Sequence, residues 1–269
     1  ALFVGIVINR VLRPRHIYRA LLEGAMTCGA VLRETETKEA DKILTVLTQH
    51  EGKVTVRARG ALRKGSRITA ATQLLTYSDM TIFENRGRRT LNEASTVEEF
   101  LGLRADLGAF ALGSYFAELL ETVSAEEYPA PPVLQLGLNS LYALSRALCP
   151  PEQIKAVFEL RTMSECGFLP QLIYCKVCNQ YDDESFYLDP QEGYLLCSNC
   201  AQKAGKRCNL DTGALYALRH ICLVEDKKIF AFKISVGSLA KLAAVAEQYA
   251  LTHLDKPLKS YEFLKSVLP

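Results

Sequence analysis

The chain has 269 residues, 49% of them apolar and 23% charged, with a net charge of +2. That is globular composition, which excludes a disordered polymer, and no apolar run approaches the roughly 20 residues of a membrane-spanning helix. The charge is uneven: residues 26–97 carry 12 Lys or Arg against 8 acids and residues 98–269 carry 16 against 21, so the basic front is expected to meet an anionic partner.

Residues 1–25 hold a short apolar run followed by Arg10, Arg13, Arg15 and Arg19, the reverse of a signal peptide, in which the charges come first. From Thr27 to about Val97 the pattern is that of β-structure. CGAVLRETE, ILTVLTQH and KVTVRARGAL are rich in β-formers, and the last alternates Val54, Val56 and Ala58 against Thr55, Arg57 and Arg59. LLTYSDMTIFENRGRRTLNEAS predicts a hairpin turning at Asn85-Arg86-Gly87-Arg88, where Asn and Gly accept positive φ cheaply. About five short strands in some 70 residues suit a small closed barrel.

After Thr96 the period becomes helical. Phe100, Leu103, Leu107, Phe110, Leu112, Tyr115, Phe116, Leu119 and Leu120 predict one long helix with Thr96 as its N-cap. VLQLGLNSLYALSRAL predicts a second helix, and EQIKAVFELRTMSECGF a third, with Pro151 near its start and Gly167 near its end. DTGALYALRHICLV, GSLAKLAAVAEQYALTHL and KSYEFLKSVL predict three more, the last two divided by Lys256-Pro257.

Between the third and fourth helices lies CKVCNQYDDESFYLDPQEGYLLCSNC, two C-x-x-C pairs separated by 18 residues. Each pair lets two thiolates reach one ion, and a folded loop brings the pairs together. Cys175, Cys178, Cys197 and Cys200 are therefore the expected ligands of one tetrahedral Zn2+. The segment around Asp189-Pro190-Gln191-Glu192-Gly193 predicts a two-stranded ribbon. Four thiolates fill the coordination sphere and leave no place for water, so the site is expected to be structural, and the chain is not expected to be an enzyme. The other five cysteines, Cys28, Cys149, Cys166, Cys208 and Cys222, form no paired framework, which points to a reducing cytoplasm.

The basic front is concentrated. Lys53 to Arg67 holds six positive charges and no acid, and Arg86, Arg88 and Arg89 sit at the predicted hairpin turn. A solvated charged face is the plainer explanation of such a run. Guanidinium groups nonetheless suit phosphate oxygens. The expected nucleic-acid contacts are Arg57, Arg59, Arg63, Lys64 and Arg67, with Arg86, Arg88 and Arg89 in support. Arg57 and Arg59 are expected on one face of a strand. With Tyr77 and Phe83 the only aromatics between residues 27 and 97, binding through the backbone is expected, with little sequence preference. GALRKGSR resembles a phosphate loop but has Ser66 where the motif needs Lys. Lys203, Lys206 and Arg207 form a smaller basic group after the second cysteine pair. A transcription or RNA-binding factor with a zinc ribbon is the alternative function.

The order of basic barrel, helices, four cysteines and closing helices resembles the bacterial recombination mediator family RecO. GAVLRETETKEADKILTVLTQHEGKVTVRARGALRKGSR is similar to that family's amino-terminal stretch, AVFELRTMSECGFLPQL to its segment before the cysteines, and DKPLKSYEFLKSVL to its closing helix. The resemblance implies an α+β architecture: a five-stranded OB-fold barrel over 26–97, then a helical domain over 98–173 and 202–269 with an inserted zinc ribbon-like module over 174–201. Residues 1–25 precede the family's usual start and are expected to be a non-native or disordered extension, or else an amphipathic helix. The resemblance also implies binding of single- and double-stranded DNA, annealing of complementary strands, and action with RecR, RecF and RecA on DNA coated by single-strand-binding protein (SSB), in the cytoplasm and at the nucleoid. It implies that the acidic tail of SSB docks on the helical domain, for which Lys155, Phe158 and Arg161 are the expected residues.

Overall fold

The computed structural model describes residues 25–267. The expectations about residues 1–25 fall, but for Ala25, outside the described residues. By compactness the described chain forms two units, residues 25–146 with 258–267, and residues 147–257. The helices of 98–173 and 202–269 are shared between them.

The first unit is built on five strands, β1 (Ala25–Glu36), β2 (Lys42–Thr48), β3 (Gly52–Ala58), β4 (Tyr77–Asn85) and β5 (Arg88–Glu98). They close in the order β1-β2-β3-β5-β4, antiparallel except for a short parallel pairing of β3 with β5 at Arg57↔Thr90 and Ala58↔Leu91. Strand β1 is long enough to pair with β4 through its first half and β2 through its second, with a register shift between Val31 and Arg33. Alternation delivers Val31, Leu44, Val46, Val54, Val56, Ala58, Met80, Ile82 and Leu91 to one buried core. The β4–β5 turn holds Arg86 at φ 51° and Gly87 at φ 75°, the positive-φ pair that matches strand twist in a two-residue hairpin.

Helices α1 (Leu101–Ala105), α2 (Leu107–Val123), α3 (Pro131–Ser145) and α8 (Lys259–Val267) complete this unit. The expected helix start at Thr96 is corrected. Thr96 pairs with Ser78 and Glu98 with Tyr77, so ladder hydrogen bonds hold these residues in β5. Phe100 then turns the chain at φ 48°, and a break at Asp106 divides the expected single helix. Asp106 caps α2 by accepting the Ala109 N–H at 2.7 Å. The start of α8 is held by Glu118 of α2, which accepts the Lys259 N–H at 3.2 Å, the Ser260 N–H at 2.6 Å and the Ser260 hydroxyl.

The second unit contains α4 (Pro151–Glu165), β6 (Gln171–Cys175), β7 (Ser185–Leu188), β8 (Tyr194–Cys197), α5 (Ser198–Lys203), β9 (Leu210–Asp211), α6 (Thr212–Leu223) and α7 (Val236–Thr252). The four strands order as β6-β8-β7-β9. Asp211 caps α6 through the Ala214 N–H and Ser235 caps α7 through the Ser238 N–H. Helix α4 buries Ile154, Val157, Phe158, Leu160 and Met163, and α7 packs against it.

Candidate metal centre and nucleic-acid surface

The sulfurs of Cys175, Cys178, Cys197 and Cys200 all lie within 4.8 Å of one another. Local structure explains why. Parallel pairing of β6 with β8 sets Cys175 opposite Leu195, two residues before Cys197. Asn179, at φ 59°, closes the first knuckle by donating its N–H to the Cys175 carbonyl at 2.9 Å. Cys197 ends β8 and begins α5, whose first turn carries Cys200. Beneath them Phe186, Leu188 and Leu195 are fully buried. Burial alone would raise the Cys175 thiol, but N–H donors from Cys178, Cys197 and Val177 outweigh it and bring its pKa down to about 6. Four sulfurs in a closed set, without His or carboxylate, could hold one metal ion, and this donor set fits tetrahedral Zn2+.

One brace of this centre carries no sequence signal. Arg219 of α6 is almost fully buried and donates from Nε to the Leu172 carbonyl at 2.7 Å and from Nη2 to the carbonyls of Ile173 and Tyr181 at 3.0 and 3.2 Å. Its guanidinium lies 4.3 Å from the Tyr181 ring centroid. It ties both sides of the first knuckle to the helix. A single arginine in an amphipathic helix has no pattern that announces this.

The expected DNA contacts separate into two groups. Arg59, Arg63, Lys64 and Arg67 lie exposed on the β3–β4 connection, and no ion pair involves them among the described residues. The Leu62 N–H donates to the Ala40 carbonyl at 3.0 Å, which joins this loop to the β1–β2 turn. Arg59 is not on a strand face with Arg57, because β3 ends at Ala58. Arg57 itself is occupied: Nε binds Asp41 at 2.8 Å and Nη2 binds Glu39. Asp41 also accepts the Gly60 N–H at 2.6 Å, and this bond, with the Arg57 guanidinium, holds its carboxyl below the usual range.

Arg86 and Arg88 are exposed at the hairpin tip. Arg89 is only 17% exposed and pairs with Glu127 at 2.8 Å, Glu84 at 3.2 Å and Glu51 at 3.9 Å. Because β5 runs parallel to β3, the tip before β5 lies beside the start of β3, and the 59–67 loop follows its end. The expected contacts therefore fall into two groups, one beside the start of β3 and one after its end. The hairpin end mixes its cations with Glu51, Glu84 and Glu127, whereas the loop end is the open basic surface.

The expected tail-docking residues are corrected as well. Phe158 has no exposed surface. Lys155 pairs with Glu159 and Glu247, each at 2.7 Å. Arg161 closes the end of α6, donating to the carbonyls of Cys222 and Val224 at 3.1 and 3.3 Å, and pairs with Glu165 and Asp226. These side chains hold the second unit together and offer a peptide neither an open apolar pocket nor a free basic rim.

Residues 25–100 match the family Recombination protein O N terminal, and residues 104–262 match Recombination protein O C terminal. The chain belongs to the recombination protein O (RecO) family. The RecO match over 25–100 coincides with the closed barrel, and the second match runs from the end of α1 into α8. Among similar RecO proteins, the DNA repair protein RecO of Acetivibrio thermocellus is 33% identical over 241 residues, 90% of this chain and 96% of that protein. The DNA repair protein RecO of Symbiobacterium thermophilum is 31% identical over 89% of this chain and 96% of that protein. That of Listeria monocytogenes is 26% identical over 89% and 93%.

Proposed function

We propose that this chain is a DNA-binding mediator of recombinational repair, whose barrel grips sugar-phosphate backbone through the 59–67 loop. The observation that carries the reading is four exposed cations, Arg59, Arg63, Lys64 and Arg67, without an ion-pair partner among the described residues, on a barrel of the RecO family. Relatives across nearly the full length are named DNA repair proteins, which supports placing this chain in the same process.

Annealing has an electrostatic basis in such a surface. Two polyanions repel, and cations that hold their backbones lower that cost while the bases stay free to pair. No nucleotide hydrolysis is needed, and the chain is not an enzyme in this reading. Strand annealing, cooperation with RecR and RecF, and help in loading RecA on single strands coated by SSB follow from the family resemblance and belong to the same proposal, as does a cytoplasmic, nucleoid-associated location. Zn2+ would be held by Cys175, Cys178, Cys197 and Cys200 and would brace the ribbon.

The test is a fourfold charge reversal, Arg59→Glu, Arg63→Glu, Lys64→Glu and Arg67→Glu, with oligonucleotide binding measured over a salt series. Each lost phosphate contact removes about 0.7 from the salt slope on a single strand, so a drop of about 3 is expected. Annealing of complementary strands without ATP should slow in parallel. Unchanged affinity and slope would overturn the assignment.

A further inference from the structure

The cysteine ribbon presents a second cationic surface that the barrel reading does not use. Tyr187 of β7 stands opposite Leu196 of β8, so Tyr187 and Tyr194 lie on the same face of this hairpin. The opposite face carries Phe186, Leu188, Leu195 and Cys197, all buried. Over the tyrosine face sit two ammonium groups. Lys176 Nζ lies 4.0 Å from the Tyr194 ring centroid, and Lys206 Nζ lies 5.5 Å from that of Tyr187.

Both lysines rise from fixed backbone. The Lys176 N–H donates to the Leu195 carbonyl at 2.8 Å, which makes it part of the sheet. The Lys206 N–H donates to the Ala201 carbonyl at 2.8 Å, after Gly205 reverses the chain at φ 67°. Lys203 and Arg207 are exposed beside it, and residues 193–210 contain no acid. Asp189 is within electrostatic reach of Lys206, but its oxygens are engaged by the N–H groups of Gln191 and Glu192 and by the Tyr187 hydroxyl. An ammonium group steadied on a ring keeps its outward N–H bonds and has already lost much of its rotamer freedom, so an incoming anion pays less to order it.

We propose that this face of the ribbon is a second nucleic-acid site, which takes the phosphates of a DNA single strand on Lys176 and Lys206, with Lys203 and Arg207 beside them. The proposal rests on the DNA-binding reading above and adds to it: one chain then holds two strands, one on each unit. An acidic peptide is the weaker match. The apolar residue on this face, Leu196, is only 4% exposed, so the face offers charge and ring edges rather than a pocket for an anchoring side chain.

The experiment compares the full-length protein, the fourfold barrel variant described above and Lys176→Gln/Lys206→Gln, by titrating a fluorescent oligothymidylate over a salt series. Zinc content and melting temperature are read alongside. The ribbon variant should bind one oligonucleotide fewer per chain at saturation, and its salt slope should fall by about 1.4 for two lost contacts. The barrel variant should keep the ribbon event. Loss of zinc in the ribbon variant moves the comparison to Lys206→Gln/Arg207→Gln, which leaves both cysteine pairs untouched. If the lysines only offset the thiolate charge, zinc retention changes while stoichiometry and slope do not, and the proposal is overturned. It is overturned equally if an acidic peptide of equal charge binds the ribbon face and the oligonucleotide does not. A barrel variant that binds as the unaltered protein does would instead sink the barrel reading and leave the ribbon result standing on its own.

Discussion

Asp41 decides how much of the basic stretch is open to a ligand. It is buried, takes the Gly60 amide at the start of the 59–67 loop, and holds Arg57 by Nε, leaving Nη2 to the exposed Glu39. A phosphate approaching Arg57 competes with the exposed Glu39 carboxylate, so Glu39→Gln should tighten oligonucleotide binding, by about twofold for so exposed a pair. An unchanged or weaker affinity in direct titration would show that Arg57 takes no part. Asp41 also predicts a pH dependence. Its folded pKa lies below the unfolded value of about 3.9, so its contribution is fully present above that value and is lost as pH falls through the folded one. Urea unfolding of the unaltered protein and of Asp41→Asn should differ at pH 6 and converge toward pH 3; a constant difference would remove the charge from the explanation. The run of cations was legible in the sequence, but their pairing was not. Glu39 and Asp41 reach Arg57 across the β2–β3 ladder, and Glu127 reaches Arg89 from beyond α2. Such partners are set by register and packing, which charge spacing along the chain does not encode.

Secondary-structure elements were readable wherever local chemistry and tertiary pairing agree. Asn85-Arg86-Gly87-Arg88 forms the expected tight turn, Pro151 sits in the first turn of α4, Gly167 lies past its end at φ 93°, and SFYLDPQEGYLLC folds as β7 and β8. Thr96 misled because a good capping residue and a following helical period look the same whether or not a strand partner holds the segment. Only the pairing with β4 decides it. The β2–β3 turn was under-read for a related reason. Gly52 sits at φ 70°, and a Cβ there would lie 2.1 Å from the Tyr128 carbonyl oxygen, so the segment after α2 packs directly on the turn. Gly52→Ala therefore combines a left-handed backbone with a backbone clash and should cost about 3 kcal/mol. Gly87→Ala has the same sign of φ with open space around it, and should cost about 1 kcal/mol. Thermal unfolding of the pair separates the two terms. Equal losses would mean that the Tyr128 segment yields without cost.

At the scale of the whole chain, each unit closes around its own apolar interior and carries its own cationic surface, and only one of the two units contains the cysteine centre. The ribbon strands are two to five residues long and two of them end on cysteines, so this module's own apolar interior amounts to a few side chains, Leu172, Phe186, Leu188, Leu195, Leu196 and Leu210. Zn2+ bound at the four cysteines would supply on the order of 10 kcal/mol to such a segment. The barrel needs none of it, because its strands pair all the way round and its core is contiguous. Chelation under mild conditions should consequently remove amide protection from residues 171–211 while leaving that of residues 25–98 intact. DNA binding after chelation should retain the salt slope that the 59–67 loop contributes and lose the part that Lys176 and Lys206 contribute. Hydrogen exchange and a salt series on the same sample measure both. If barrel protection falls together with that of the ribbon, the two units share one cooperative unfolding step, and the metal supports the entire fold rather than the module that binds it.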